Sequence, residues 1–358
     1  MNFFINRLDY LDIGAHSYPF IPEYAKKELN LDGIIVGPGG RFFCHGIDIM
    51  ALLKATDLRD QLGNNRYNAL FQKPMMFFLR ASTEDELNLP PVKEKLDRRY
   101  GIEGINLNNF AQALSIGCWF IKDSCVRATQ CYWMNLVTSY NFQATRTMDN
   151  TLSNGKCANT SFTDAEMTEA IQRMYEVVCY LLPDESKMGK IEFVGNGVTS
   201  ELMVDQAIST EGNSFARALT LLQKARRAGE ISSKIDKYCS ILECLYAINK
   251  GHKKNIADIT AALIGTDDAS REDIRLHMRE AYGVRSDSSH GDTLKYLKQN
   301  GTEDLKTLST LLDGYVRSVF RKVIRQKNLN YDTAPENKAN TRAYFRTLAK
   351  AVSPTESR

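Results

Sequence analysis

The chain has 358 residues, 43% hydrophobic and 25% charged, with a formal net charge of +3. That length favours two domains with cores of their own and excludes a peptide-like or disordered protein. No apolar run approaches the roughly 18 residues of a membrane span, and Met1 to Tyr10 lacks the basic start, long apolar middle and cleavage site of a secretory signal, so a cytoplasmic location is expected.

The charge is unevenly placed. Residues 1–212 carry 20 Lys+Arg against 26 Asp+Glu, a balance of −6, whereas residues 213–358 carry 26 against 17, a balance of +9. A basic C-terminal part beside an acidic N-terminal one suits a polyanion-binding module joined to a part that need not touch nucleic acid, although a solvated helix surface leaves the same signature. The eight cysteines (Cys44, Cys118, Cys125, Cys131, Cys157, Cys179, Cys239, Cys244) include no C-x2-C pair, and several lie in apolar segments. They read as reduced packing residues; a zinc site from His45, Cys118, Cys125 and Cys131 lacks ligand spacing.

In chain order, Gly33–Val36 and Met75–Leu79 are short apolar runs and Cys131–Phe142 is rich in aromatic and β-favouring residues, which predicts strands. Pro22–Leu29, Ile47–Leu62 and Asn108–Leu114 read as helices, so residues 1–145 form an α+β domain. Gly37-Pro-Gly-Gly40 lacks the Gly-Lys-Ser/Thr ending of a phosphate loop and reads as a turn. Residues 143–163 are rich in Asn, Ser, Thr and Gly and predict a long loop; with the amphipathic helix Thr163–Leu182 they fall in a connecting region, 146–212. Strand-like or turn segments surround Ile191–Val194.

Beyond residue 213 the pattern is helical. Ser214–Ala228, closed by Gly229, and Ser232–Asn249, stopped by Gly251, carry apolar residues at three- and four-residue spacing. Asn255–Ile264 follows, then Arg271–Tyr282, which opens on the capping-box-like Ser270-Arg-Glu-Asp273. After Asp292–Lys298 and Gly301 comes Thr302–Lys327, whose Leu305, Leu308, Leu312, Tyr315, Val319 and Val323 make one stripe under a basic outer face. Thr341–Val352 is a weaker piece before a polar tail. The prediction is a bundle over 213–330 followed by a C-terminal helix and polar tail over 331–358.

Within Tyr282-Gly-Val-Arg285-Ser-Asp-Ser-Ser-His290-Gly291 stand an arginine and, after four residues, a histidine. A guanidinium can hold a phosphate and absorb the charge that builds on it, and an imidazole can move a proton to or from the attacking or departing oxygen, so this pair can cut RNA without a metal or cofactor. Spacing alone is a weak signal in a chain with 23 arginines, and Arg271 and His277 form a similar pair. The plain alternatives are His290 capping its neighbours and Arg285 pairing with Glu280 or Asp287.

Helices bracketing Arg-x4-His, with glycine directly after the histidine, resemble the HEPN superfamily (higher eukaryotes and prokaryotes nucleotide-binding), in particular its Apea-like branch. The likeness rests on the helix Ile235 to Tyr246 with Glu243 in it, the helix Ile256 to Leu263, the segment Tyr282 to Gly291 and the long closing helix, and covers roughly 213–327. It implies an all-α HEPN-like bundle acting as a ribonuclease in anti-phage defence by abortive infection, or as a toxin. In that family the catalytic pair matches Arg285 and His290. The polar residue that commonly follows the arginine is Ser286 here, with Asp287 next.

If the segment is helical, five residues turn about 500° and rise about 7.5 Å, so Arg285 and His290 of one chain point roughly 140° apart. Two copies about a twofold axis would bring both groups into one cleft, and the resemblance implies a homodimer too. Ser286, Asp287 and Glu243 are candidate supporting residues; Arg317, Arg321 and Arg325, with Lys322 and Lys327, are candidates for an RNA backbone. His277 reads as a surface or structural residue. The N-terminal domain is expected to sense a signal, through a phage-derived or regulatory partner, or to restrain the nuclease.

Overall fold

A computed structural model of the chain describes residues 2–20, 33–38, 43–44, 47–80, 82, 84–87, 110–135, 141–145, 149–181, 192–194, 197–199, 213–248, 251–326, 328–332 and 334–352. The chain folds into two units, one made of Met1–Asp149, Ala158–Leu182 and Gly189–Glu201, the other of Asn150–Cys157, Pro183–Met188 and Leu202–Arg358. The first is α+β and the second helical. Among the described residues no helix is long and apolar enough to cross a membrane.

In chain order the first unit contains β1 (Asn2–Asp9), β2 (Leu11–Ile13), β3 (Tyr18–Phe20), β4 (Gly33–Gly37), β5 (Phe43–Cys44), β6 (Ile47–Asp48), α1 (Ile49–Lys54), α2 (Leu58–Leu70), β7 (Met75–Arg80), α3 (Glu84–Leu87) and α4 (110–121). Then come β8 (Arg127–Asn135), β9 (Asn141–Thr145), β10 (Thr160–Phe162), α5 (Asp164–Leu181), β11 (Glu192–Val194) and β12 (Gly197–Thr199). Six strands form an antiparallel sheet in the order β3-β4-β7-β1-β8-β9.

Successive side chains of a strand face opposite sides, and here both sides are covered. Phe4 and Leu8 of β1, with Phe78 and Trp133, pack with Phe110, Leu114, Met167 and Met174 from α4 and α5. Phe3 and Ile5, with Phe77 and Tyr132, pack with Ile49, Leu53, Tyr67 and Leu70 from α1 and α2. The helix predicted for the connecting region, now α5, therefore belongs to the first unit, because its apolar stripe completes that core. Where α4 crosses α5 the backbones touch: a Cβ on Gly117 would lie 2.2 Å from the Ala170 carbonyl oxygen. Gly117→Ala is expected to cost about 1–3 kcal/mol by overpacking, read as a lower denaturant midpoint.

Several local expectations are corrected. Ile47–Leu62 is not one helix: Asp48 ends β6 and accepts the Ala51 N–H at 3.1 Å, capping α1, while the Thr56 hydroxyl bonds the Leu53 carbonyl at 2.7 Å and accepts the Leu58 N–H at 3.3 Å. Such side-chain bonds offer the backbone an alternative to continuing the helix. Of Cys131–Phe142, residues 131–135 end β8 and 141–142 open β9, while 136–140 lie outside the described residues. Pro22–Leu29, and Gly39 and Gly40 of the predicted turn, lie outside the described residues, as does His45 of the zinc alternative. Cys118, Cys125 and Cys131 are buried in the sheet's core, where burial pushes the Cys131 thiol up to about 12.

The second unit, among the described residues, is built from α6 (Ser214–Arg227), α7 (Ile231–Tyr246), α8 (His252–Ile264), α9 (Asp268–His290), α10 (Lys295–Val323) and α11 (Pro335–Val352). Helix α7 is central and packs against α6, α9 and α10. Its Ile235, Tyr238, Cys239, Ile241, Leu242, Leu245 and Tyr246 are buried, a pattern too wide for a single apolar stripe. The fully buried Lys234 donates from Nζ to the Ala225 carbonyl at 2.8 Å, at the end of α6, where the same carbonyl accepts the Ala228 N–H at 3.2 Å. Part of the predicted loop, Asn150–Cys157, straps this bundle: Thr151 N–H donates to the Arg226 carbonyl at 2.8 Å and the Ser309 hydroxyl to the Ser153 carbonyl at 2.7 Å.

Helix α9 starts three residues before its predicted start and runs beyond its predicted end. Asp267 caps it, accepting the Ser270 N–H at 2.8 Å while the Ser270 hydroxyl accepts the Asp267 N–H at 3.1 Å, so the capping box is Asp267–Ser270. At the far end Gly291, with φ of 71°, lets Asp292 N–H reach the Asp287 carbonyl at 2.9 Å, the closing pattern of a Schellman motif. The 285–290 segment is thus helical. Gly301 interrupts α10 with φ of 88°. Helix α11 packs on the bundle: Phe345 is fully buried with its ring 4.8 Å from that of Tyr246.

Candidate active site at the junction of α7, α8 and α9

On α7, Asp236, Cys239 and Glu243 recur at intervals of three and four and so share one face, and on α9 Tyr282 and Arg285 do the same. The two faces meet. The Arg285 guanidinium donates from Nη1 to Glu243 Oε1, and its Nε lies 3.1 Å from Asp236 Oδ1. The Tyr282 hydroxyl donates to the same Glu243 oxygen at 3.0 Å, and the guanidinium carbon stands 5.5 Å from the Tyr282 ring centroid. From the start of α8, His252 Nδ1 approaches that oxygen too, at 3.1 Å. This ring nitrogen is in ion-pair range but out of line for a hydrogen bond, and it has no hydrogen-bond partner among the described residues.

The cluster is half-buried: Arg285 is 25% exposed, Asp236 20%, Glu243 18% and His252 42%. Burial works against the charge of Arg285, but the bond and charge of Glu243 outweigh it and raise its pKa above the ordinary value, so the guanidinium stays cationic. Burial first, and then the negative charges of its neighbours, push the Tyr282 phenol up, which keeps it a donor. Burial likewise raises the Cys239 thiol, a packing residue under the arginine. Lys237 Nζ lies 2.6 Å from Asp236 Oδ2, so two cations face two carboxylates before His252 is counted. Burial also raises the Cys244 thiol, against the pull of the positive charges of Arg217 from α6, Lys338 from α11 and Arg285.

The predicted residues do not all converge. Arg285 and Glu243 meet in the cluster. His290 sits exposed at the end of α9, in a different direction from Arg285, and makes no hydrogen bond or ion pair with the described residues. Ser286 is exposed. Asp287 is buried and accepts the Lys295 N–H at 2.9 Å, so it holds the turn between α9 and α10 rather than facing Arg285. The alternative pairing of Arg285 with Glu280 or Asp287 gives way to Asp236 and Glu243 across the helix contact.

His277 is structural, its Nδ1 2.8 Å from the Tyr315 hydroxyl of α10. Of the basic face of α10, Arg317 donates to Asp313 within its own helix, and Lys322 Nζ donates to the Leu263 carbonyl at 2.6 Å. Arg321 is half-buried, Arg325 is exposed, and Lys327 is outside the described residues. Asp236 and His252 were missed. Asp236 carries a usable signal, seven residues before Glu243 on an apolar helix; His252, reaching across from another helix, carries none. No family model, no curated protein and no solved structure matches the chain.

Proposed function

We propose that the helical unit is a metal-independent endoribonuclease of the HEPN kind, acting as a homodimer in anti-phage defence by abortive infection or as a toxin, with the α+β unit sensing a signal or restraining it. The observation that carries this reading is a division of labour along α9. Arg285 is oriented on a bed of carboxylates with a quarter of its side chain exposed, and His290 stands in solvent at the helix end, able to take or give a proton. About 140° of helix turn separates them, so a partner copy brings the second group to the phosphate.

In the proposed reaction a ribose 2′-OH attacks its own 3′ phosphate, Arg285 stabilises the pentacoordinate phosphate and His290 moves a proton. The nucleophile restricts the enzyme to RNA. Labelled single-stranded RNA in EDTA should be cut while the matching DNA is not, and His290→Ala should lower the rate about 10²- to 10⁴-fold. Cleavage by His290→Ala at the wild-type rate would remove this acid–base assignment.

A second reading is favoured by one specific contact pair: both Asp236 and Glu243 already engage the Arg285 guanidinium. Under it the bundle is a catalytically silent HEPN module that binds RNA, a nucleotide or a protein partner. Its signature is salt-dependent RNA affinity without cleavage products.

A further inference from the structure

We propose that His252 is a second proton-moving imidazole of the Arg285 site, supplied by the same chain; this rests on the ribonuclease reading above. Transesterification of RNA moves two protons, one off the 2′ oxygen and one onto the departing 5′ oxygen. One imidazole cannot do both at once. His290 points away from Arg285 on α9, whereas His252 shares a single carboxylate oxygen with it: Glu243 Oε1 receives the Arg285 guanidinium and the Tyr282 hydroxyl and lies 3.1 Å from His252 Nδ1.

The placement suits a base. His252 opens α8 directly after Gly251, whose φ of 62° turns the chain into the helix with no side-chain cap, so the ring is not needed as one. Nδ1 is buried beside the carboxylate while 42% of the side chain remains exposed, which leaves the Nε2 edge for a substrate. With Nδ1 beside the carboxylate, Nε2 is the ring nitrogen that can exchange a proton with a substrate. Arg285 and Tyr282 of α9 bond the same Glu243 oxygen that His252 approaches, and the arginine would hold the phosphate that the reacting hydroxyl attacks.

The step balances as follows in atoms. His252 Nε2 takes the proton of the 2′-OH as the O2′–P bond forms; the P–O5′ bond breaks, and O5′ takes a proton from protonated His290 of the pair. The products are a 2′,3′-cyclic phosphate and a 5′-hydroxyl end, and solvent returns one proton to His290 and removes one from His252.

The test uses the full chain and a labelled single-stranded RNA, with His252→Ala, His252→Gln and Arg285→Ala compared at matched thermal stability. Cleavage by both His252 variants should fall about 10²- to 10⁴-fold with RNA affinity unchanged, and added imidazole should restore part of the rate to His252→Ala alone. Wild-type cleavage by His252→Ala beside an inactive Arg285→Ala overturns the proposal and leaves the nuclease reading in place. Loss in both His252 variants with no imidazole rescue assigns the ring a structural role and also overturns it. Arg285→Ala cutting at the wild-type rate overturns the nuclease reading and this proposal with it.

Discussion

Arg285→Ala is expected to lower RNA cleavage about 10²- to 10³-fold, the loss typical of removing one preorganised donor to developing charge. The same substitution leaves Asp236 and Glu243, each about four-fifths buried, without the cation that joins them. Stability should fall by about 1–3 kcal/mol, the penalty for stranding buried polar groups. Arg285→Lys separates the two effects. Its ammonium is a single point of charge that cannot bridge both acids as the planar fork does, so it should recover much of the stability and little of the rate. Rates on labelled RNA and urea midpoints, measured side by side, decide. A variant pair that loses stability but cleaves at the wild-type rate would make Arg285 a strut of the bundle and favour the silent-module reading.

The largest effect on stability should come from Asp313→Ala. Asp313 is 1% exposed in the bundle, accepts the Tyr238 hydroxyl at 3.1 Å and pairs with Arg317. Removing one partner of a buried pair leaves the other charge uncompensated, at a cost of about 3–5 kcal/mol. Replacing Asp313 and Arg317 together by leucine and methionine should cost far less, because no charge is then stranded. Chemical denaturation of the single and double variants tests this; a single variant as stable as wild type would show that Arg317 turns out into solvent, where it would again be available to an RNA backbone.

Arg317 illustrates what periodicity can and cannot reveal. The stripe from Leu305 to Val323 is legible in the sequence because burial of a helix face imposes a 3.6-residue period on apolar residues. The same period places Arg317 four residues after Asp313, but a charge on the edge of the stripe looks alike whether it faces water or folds back. The strands Gly33–Val36 and Met75–Leu79 were legible for a comparable reason, since apolar runs of that length fit a sheet covered on both faces. The break after Lys54 was not, because it depends on one short side chain, Thr56, competing for backbone groups.

At the candidate site the sequence exposes one helix at a time. Arg285 and His290 stand out as a spacing on α9, and Glu243 as an acid among apolar residues on α7. Their relation is tertiary: it is set by how α7 and α9 pack, and no spacing within either helix encodes the register between them. His252 is the extreme case, separated from Glu243 by a helix end and a turn, yet 3.1 Å from its carboxylate.

The strap of residues 150–157 has a consequence for how the polypeptide can be divided. Thr151 and Ser153 serve carbonyls and hydroxyls of α6 and α10, yet the chain then returns to the sheet unit at Ala158 before reaching the bundle proper. No single scissile point in the backbone yields both halves intact. A fragment beginning at residue 213 keeps every described helix of the bundle but sheds its clasp, so a tolerant excision or a gene fusion would have to carry the octapeptide along, grafted onto a new end.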